Sequence, residues 1–463
     1  MFKVHRVRSS RWLSIVSCMV MLLAGLSACA QDQSSTTGGG PIAFTNPNPI
    51  TIGFTVSLTA KSKDQDFTQD GQLILQGYEL WANTVNNNGG ILGRPVKLVY
   101  HDDKSDEATT AQLYTDLIQK DKVDLLFGPF STLLTKAAEG AKGISAYPFV
   151  EGAGGAPSVF TDPNTGKNPR WTNIFAVSVP VVNNLDTYAY YILSLPLSQR
   201  PKTVAYLSSD DPFTFPQINR AQQLLTQGGL RTVFPTPANF KQYYSKDIGQ
   251  FQYGPQYEYG EGDTNATAEA TANAEAIVKA NPDIVVLGTL LPDIQAEIAV
   301  FKKDHFRPKS LIATAGPDLG SDFIKAIKGV QYTEGIFVPN GWYPQANNFQ
   351  NAEMVQAYIN QYSTASNQIT PDQVNADVAE AYSVGQVTQQ AIEKIHSIDR
   401  TALMTELHSG DVFNTVQGTA QFAPDGENKQ GLAYLFQWQK GQLIPVYPLS
   451  VAAENPEYKS YNF

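Results

Sequence analysis

Cysteine is almost missing: Cys18 and Cys29 are the two that occur, both within the first 29 residues. Beyond them the chain has no thiol to form a disulfide, attack a substrate or bind a metal as thiolate. Histidine is also scarce, five in all and scattered. With no Gly-x-Ser-x-Gly elbow either, no hydrolytic triad is signalled. Basic charge is short, 33 Lys and Arg against 43 Asp and Glu, with no long basic run. Setting aside Lys3, Arg6, Arg8 and Arg11 in the leader leaves 29 against 43, a net of −14. A surface so acidic repels phosphate backbones, which argues against a nucleic-acid partner. What is plentiful is apolar sequence: 42% of 463 residues, enough for a large core divided over two or more compact units.

Long apolar runs are limited to WLSIVSCMVMLLAGL, residues 12 to 26, which follows the basic stretch ending at Arg11. As a helix it rises about 22 Å, short of the roughly 30 Å hydrocarbon core, and reads as a signal peptide rather than a permanent span. It closes on Leu26-Ser27-Ala28-Cys29, small residues before a cysteine that resemble a bacterial lipoprotein box. The resemblance implies a leader over 1–28 and an acylated Cys29 at the new N-terminus. Two or more acyl chains, at about 0.8 kcal/mol per buried methylene, would hold the protein on a membrane. Residues 29–49 then form a linker whose Ser/Thr/Gly/Pro tract has an average reach of roughly 25 Å.

The body opens on ITIGFTVSL (50–58), where Ile50, Ile52, Phe54, Val56 and Leu58 alternate at the strand period. In DGQLILQGYELWANTVNN the period changes, and Ile74, Gly77, Tyr78, Trp81 and Val85 line one helical face. VKLVYH (96–101) is a strand again, completing a β-α-β unit. Between helix and strand lies NNNGGILGRPV, with Gly89, Gly90 and Gly93. Phosphate loops follow a strand and open a helix, where free N–H groups point at the anion. These glycines instead follow a helix, where glycine relieves a left-handed cap, so the loop is a turn.

The alternation continues through helix-like EATTAQLYTDLIQ, strand VDLLFGP (123–129), helix-like TLLTKAAEGAKGIS and strand AYPFVEGA (146–153). A second series has strands at 203–209, 230–234, 284–289 and 310–315, with helices starting near Gln217, Ala266 and Asp293. DKVDLLFGP and NPDIVVLGT echo one another as helix exit, Asp, buried strand and Gly, which predicts two similar lobes with parallel sheets. Residues 350–408 read as mostly helical, and the tail reads as a hairpin turning at Lys440-Gly441.

The segments ITIGFTVSLT, NNNGGILGRPVKLVYHDDKSDE, DKVDLLFGPFST, NPDIVVLG and YTEGIFV resemble, in order and spacing, the type I periplasmic-binding-protein family, in its leucine/isoleucine/valine-binding branch of ABC-transporter solute receptors. The resemblance implies an α/β fold of two Rossmann-like lobes with parallel sheets joined by three crossing strands. It places lobe I at 50–180 plus 342–432 and lobe II at 181–341 plus 433–455. A ligand carboxylate would meet Ser131 or Thr132, with Thr132 the better match, at a helix N-terminus. Ala153 and Gly155 follow at the next strand end, and Gly155 departs from the family's common threonine. In the second lobe, Phe213 and Leu290 stand where the family has tyrosines, and Asp318, or alternatively Glu151, is the candidate partner of an α-ammonium. Trp342 lies near a crossing, with a buried aromatic as the plainer reading.

The remaining candidates are weaker. DQDFTQDG from Asp64 fails as a calcium loop, because Gln69 takes the glycine position and Leu75 the closing glutamate. His101-Asp102-Asp103 has no second histidine nearby and reads as a solvated turn, and the adjacent Asp210-Asp211 pair need not converge. The expectation is a lipid-anchored, monomeric receptor outside the cytoplasm with no cofactor and no catalytic residue. It would capture an amino acid, apolar or branched-chain, or a related small carboxylate, and deliver it to an ABC permease. The alternatives are a sensing module acting in trans and an importer for an amide or aromatic acid.

Overall fold

The computed structural model describes residues 43–62, 65–162, 165–209, 211–236, 240–245, 250–255, 266–431, 433–452 and 454–457. The leader, Cys29 and the linker up to residue 42 lie outside the described residues, as do Asp64 and Asp210. Alternating strands and helices run β1 (Ile50–Val56), α1 (Thr68–Asn87), β2 (Val96–Asp102), α2 (Glu107–Asp116), β3 (Leu125–Phe127), α3 (Thr132–Ala138), β4 (Phe149–Glu151), α4 (Pro157–Phe160) and β5 (Ile174–Ala176). The chain goes on through α5 (Asp186–Ser194), β6 (Thr203–Ser208), α6 (Thr214–Gln227), β7 (Arg231–Phe234), a hairpin of β8 (Phe240–Ser245) and β9 (Gln250–Pro255), and α7 (Ala266–Ala280). Next come β10 (Ile284–Gly288), α8 (Leu291–Lys303), β11 (Ser310–Ala313), α9 (Ser321–Ala326), β12 (Phe337–Asn340), α10 (Asn351–Tyr362), α11 (Ala376–Ile395) and α12 (Arg400–Leu407). A small hairpin of β13 (Phe413–Thr415) and β14 (Gly418–Ala420) precedes β15 (Tyr434–Gln439) and β16 (Gln442–Tyr447).

Two main sheets result. The first, in the order β2-β1-β3-β4-β5, is wholly parallel; the second, β16-β15-β12-β11-β10-β6-β7, is parallel except for its β12-β15-β16 edge. Parallel strands covered on both faces must be apolar throughout. β10 (IVVLG) and β3 (LLF) are accordingly buried at every position. The fourth strand, β4, is shorter than its sequence suggests, Phe149–Glu151 rather than 146–153, and a short 3-10 turn takes Ile144–Ala146.

Around the first sheet α1 and α11 pack at close range. Glycine makes the approach possible: a Cβ on Gly77 would stand 2.6 Å from the Ala381 Cβ, and one on Gly385 would stand 2.1 Å from the Trp81 ring. The chain passes between the sheets after β5, after β12 and before β15. These passages lie side by side, since a Cβ on Gly431 would come 2.7 Å from the Val179 Cα and one on Gly341 3.3 Å from the Val179 Cγ2.

The glycine loop is a turn, as expected. Gly89, Gly90 and Gly93 have φ of 90°, 76° and 72°, and Ile91 and Arg94 exchange backbone hydrogen bonds of 2.9 Å. A Cβ at Gly90 would lie 1.9 Å from the Arg94 carbonyl oxygen. Gly90→Ala is therefore expected to destabilise the fold by about 1–3 kcal/mol in urea unfolding. A phosphate-cradling role would instead leave stability unchanged and abolish binding of a phosphorylated ligand.

His101-Asp102-Asp103 is not the solvated turn expected. Asp103 is fully buried and accepts hydrogen bonds from Thr55 Oγ1 (2.8 Å), Ser57 Oγ (2.6 Å) and the Ser105 N–H (3.0 Å). Desolvation nevertheless raises its carboxyl to about 6. Burial would raise Asp102 too, but the Thr59 hydroxyl and the Lys104, Leu58 and Thr59 N–H groups outweigh it and hold that carboxyl below its usual range. Together these two carboxylates pin the loop that leaves β1.

Candidate functional site

A cleft of about 400 Å³ opens where the C-terminal ends of the parallel strands of both sheets face each other, the position at which open α/β sheets bind ligands. From the first sheet come Asp66 to Asp70 at the start of α1, Phe130 and Ser131 after β3, and Ala153 after β4. From the second come Asp211 and Phe213 after β6, Leu290 to Pro292 after β10, and Thr314 to Gly316 with Asp318 and Leu319 after β11. Ser178 and Val179, Pro339 to Gly341 and the first turn of α11, with Asp377 and Glu380, complete the wall. Between the two sides, the Gln69 Nε2 in α1 donates to the Asp322 carboxylate in α9 at 2.9 Å.

Five of the seven residues singled out from sequence line this cleft: Ser131, Ala153, Phe213, Leu290 and Asp318. Thr132, the preferred hydroxyl, does not. It is 1% exposed and its Oγ1 donates to the Ala153 carbonyl at 3.3 Å, so the helix geometry turns it into the protein. Ser131 is the N-cap, and its hydroxyl makes no capping bond to α3. Gly155 is also off the wall: a Cβ there would meet the Ser178 Oγ at 2.9 Å and the Val179 carbonyl at 3.1 Å. Its lack of a side chain therefore makes room for the passage after β5 rather than for a larger ligand.

Glu151 and Trp342 are both interior. Glu151 is fully buried at the end of β4, where it accepts the Gly154 N–H and keeps Oε1 unpartnered, and burial pushes its carboxyl well above the usual range. It sits behind the wall and does not line the cleft, so of the two candidate partners for an α-ammonium only Asp318 is placed to meet one. Trp342 is 1% exposed with its Nε1 bonded to the Asn351 Oδ1 at 2.7 Å, which is the buried reading.

Sequence reasoning missed the most charged part of the cleft. Asp70, Asp377 and Glu380 join Asp318 there. Desolvation, then the neighbouring Asp318 charge, raises Asp70 to about 7. Desolvation takes Asp318 to about 6 and Glu380 to about 8, and raises Asp377 well above its usual value with Asp70, Glu380 and Asp318 adding to the effect. Asp211 is otherwise engaged, accepting the Phe213 and Thr214 N–H groups at 2.8 and 3.0 Å to start α6. The spacing offered one clue: Asp66 and Asp70, like Asp377 and Glu380, are pairs at i,i+4 and i,i+3 near helix starts, where like charges share a face. Among the described residues no Lys, Arg or His lines the cleft. Among the described residues no group of three His, Cys, Asp or Glu is placed to hold a metal ion, and no helix is long and apolar enough to cross a membrane.

Two facing α/β sheets with a cleft at their strand ends define a two-lobed solute-binding protein of type I architecture. The chain belongs to the periplasmic binding protein family, whose model matches residues 49–442. Among solved structures it is similar to the leucine-binding protein LivK of Thermotoga maritima, with TM-score 0.64 and 17% identity over 86% of this chain and 97% of that one. LivJ of Streptococcus pneumoniae, solved with isoleucine, aligns with TM-score 0.63 and 16% identity over 86% and 98%. A solute-binding protein of R. palustris solved with benzoate aligns with TM-score 0.62 and 16% identity over 89% and 99%. The two solved with ligand hold an amino acid and an aromatic acid, so the ligand class must come from this chain's own cleft.

Proposed function

We propose that the protein is an extracytoplasmic receptor of an ABC importer, without enzymatic activity, that closes its two lobes on a small solute bearing an ammonium group, amino acids included. The lobes are read as 50–180 plus 342–432 and 181–341 plus 433–455, with Cys29 as the lipid attachment and a membrane permease as partner. The cleft carries this reading: both lobes supply wall residues, so a bound solute contacts both and favours the closed state. Asp318 is the second-lobe partner for the ammonium, Ser131 supplies a hydroxyl from the first lobe, and Phe213 and Leu290 form the apolar wall. An aromatic acid fits less well, since it has no ammonium to meet the wall acids and, among the described residues, the lining offers no cationic side chain. Sensing in trans would use the same closure.

The Gln69–Asp322 bond offers the test, because the two residues sit on opposite sides of the cleft. Gln69→Cys with Asp322→Cys is expected to form a disulfide whose rate rises several-fold with a bound amine and falls to the basal rate without it. A rate indifferent to every solute tried would end the receptor reading.

A further inference from the structure

Charge in the cleft is one-sided and comes from both lobes. Asp70, Asp377 and Glu380 reach it from α1 and α11, Asp318 from the turn after β11, and Asp66 stands at the rim. Two further observations bear on what this cleft would bind. The Ser178 Oγ and Thr314 Oγ1 are unpartnered, 7% and 5% exposed as residues, and both residues line the cleft. The Asp318 Oδ1 is likewise buried without a partner. Carboxylates accept hydrogen bonds and hydroxyls can accept them, whereas an ammonium has three N–H donors and no acceptor. A zwitterion would bring its own carboxylate near these acids, and among the described lining residues no Lys, Arg or His offsets the repulsion.

From this we infer that the ligand is a small organic cation of net positive charge, an amine with an apolar body and no free carboxylate, or with two amines, and that it makes closure possible by neutralising carboxylates contributed by both lobes. The inference rests on the receptor reading and narrows it to a charge class. Without the ligand, the Asp318 carboxylate of one lobe approaches Asp70 and Asp377 of the other, and like charges at low dielectric oppose closure. With it, the same groups clamp the ammonium. Among the described residues no three His, Cys, Asp or Glu are grouped to hold a metal ion, and the apolar wall of Phe213 and Leu290 suits an organic cation.

Binding also releases protons. The wall acids take up protons when the cleft is empty, Asp318 at about 6, Asp70 at about 7 and Glu380 at about 8, and a bound cation favours their ionised forms. Affinity is therefore expected to rise as pH increases from 6 to 8. The groups facing one another are Asp66, Asp70, Asp318, Asp377 and Glu380, with Asp211 beside Phe213 and Glu151 behind the wall.

The experiment is calorimetric titration of the full-length protein in detergent with leucinamide, leucine, 1,5-diaminopentane and benzoate. Leucinamide or the diamine is expected to bind at least about tenfold more tightly than leucine, and benzoate not at all. For the diamine, whose amines stay charged, affinity is expected to increase about tenfold from pH 6 to 8, with protons released in buffers of different ionisation heat. Asp318→Asn and Asp377→Asn, one from each lobe, should each weaken the cation about tenfold while leaving the melting temperature unchanged or higher. Leucine or benzoate binding as tightly as the cations would overturn the charge class and leave the receptor reading standing. If no solute of any charge binds or accelerates the Gln69→Cys/Asp322→Cys disulfide, both fall.

Discussion

Gly385→Ala is expected to destabilise the protein by about 2–3 kcal/mol in urea unfolding, although alanine is the better helix former. In an exposed helix interior the substitution would gain about 1 kcal/mol. Here the added methyl would stand 2.1 Å from Cδ2 and 2.4 Å from Cγ of Trp81. The ring has nowhere to go: Trp81 is 1% exposed and packs on Phe127 at 5.5 Å between ring centroids. Forcing a methyl into a close-packed core costs typically 1–3 kcal/mol, more when the neighbour is rigid, so overpacking wins over propensity. Trp81→Phe supplies the check. Alone it leaves a void and costs on the order of 2 kcal/mol; combined with Gly385→Ala the loss should fall at least 1 kcal/mol short of the sum. Strict additivity would show that the two residues do not compete for the same space.

Acidification from pH 9 to 5 is expected to stabilise the ligand-free protein by several kcal/mol, against the usual loss of stability in acid. Outside the cleft, where opening of the lobes brings no relief, Glu139 is 3% exposed and desolvation raises it to about 8 even with the Arg170 guanidinium 3.2 Å away. Glu427 is likewise pushed up to about 7 by burial and Asp103 to about 6. For a carboxyl raised on folding, the native state holds its proton longer than the unfolded chain. Its stabilisation is complete below the unfolded pKa near 4 and disappears as pH rises through 6 to 8. At about 1.36 kcal/mol per unit, Glu139 alone is worth on the order of 4 kcal/mol across that window. Asp102 and Asp283 work the other way: burial opposes the shift, but Thr59 and, for Asp283, Lys309 and backbone N–H groups hold them low. Their stabilisation is lost only as pH falls below about 4. The urea midpoint should thus peak near about pH 5, and Glu139→Gln should flatten most of the decline above it. A midpoint constant from pH 5 to 9 would contradict the burial-driven shift.

Much of the architecture can be read from local pattern because the central strands are short and apolar, and two of them, β3 and β10, run from an Asp to a Gly. ITIGFTV, LLF and IVVLG fill their sheets as their composition demands. Glycines in a helix-to-strand order told a turn from a phosphate loop before any coordinates did. The cleft was legible only where one strand end carries one residue, as with Phe213, Leu290 and Asp318. Asp70 and Asp377 lie 307 positions apart in the numbering and meet through the packing of α1 on α11. Nothing local to either residue announces the other. Thr132 and Gly155 failed for a finer reason, since a one-residue change along a helix start or loop turns a side chain from cavity to core.

The three passages between the lobes touch at Val179, with Gly341 and Gly431 leaving no side chain between the backbones. Segments packed this closely would bend together more easily than they would slide past one another, which would restrict the path along which the proposed receptor opens. In the proposed receptor the dwell time of a captured solute would follow how often that bundle flexes, with individual contacts entering through the energy needed to start the flexing. A permease that pulls one lobe back along this path can empty the cleft quickly without weakening any contact inside it.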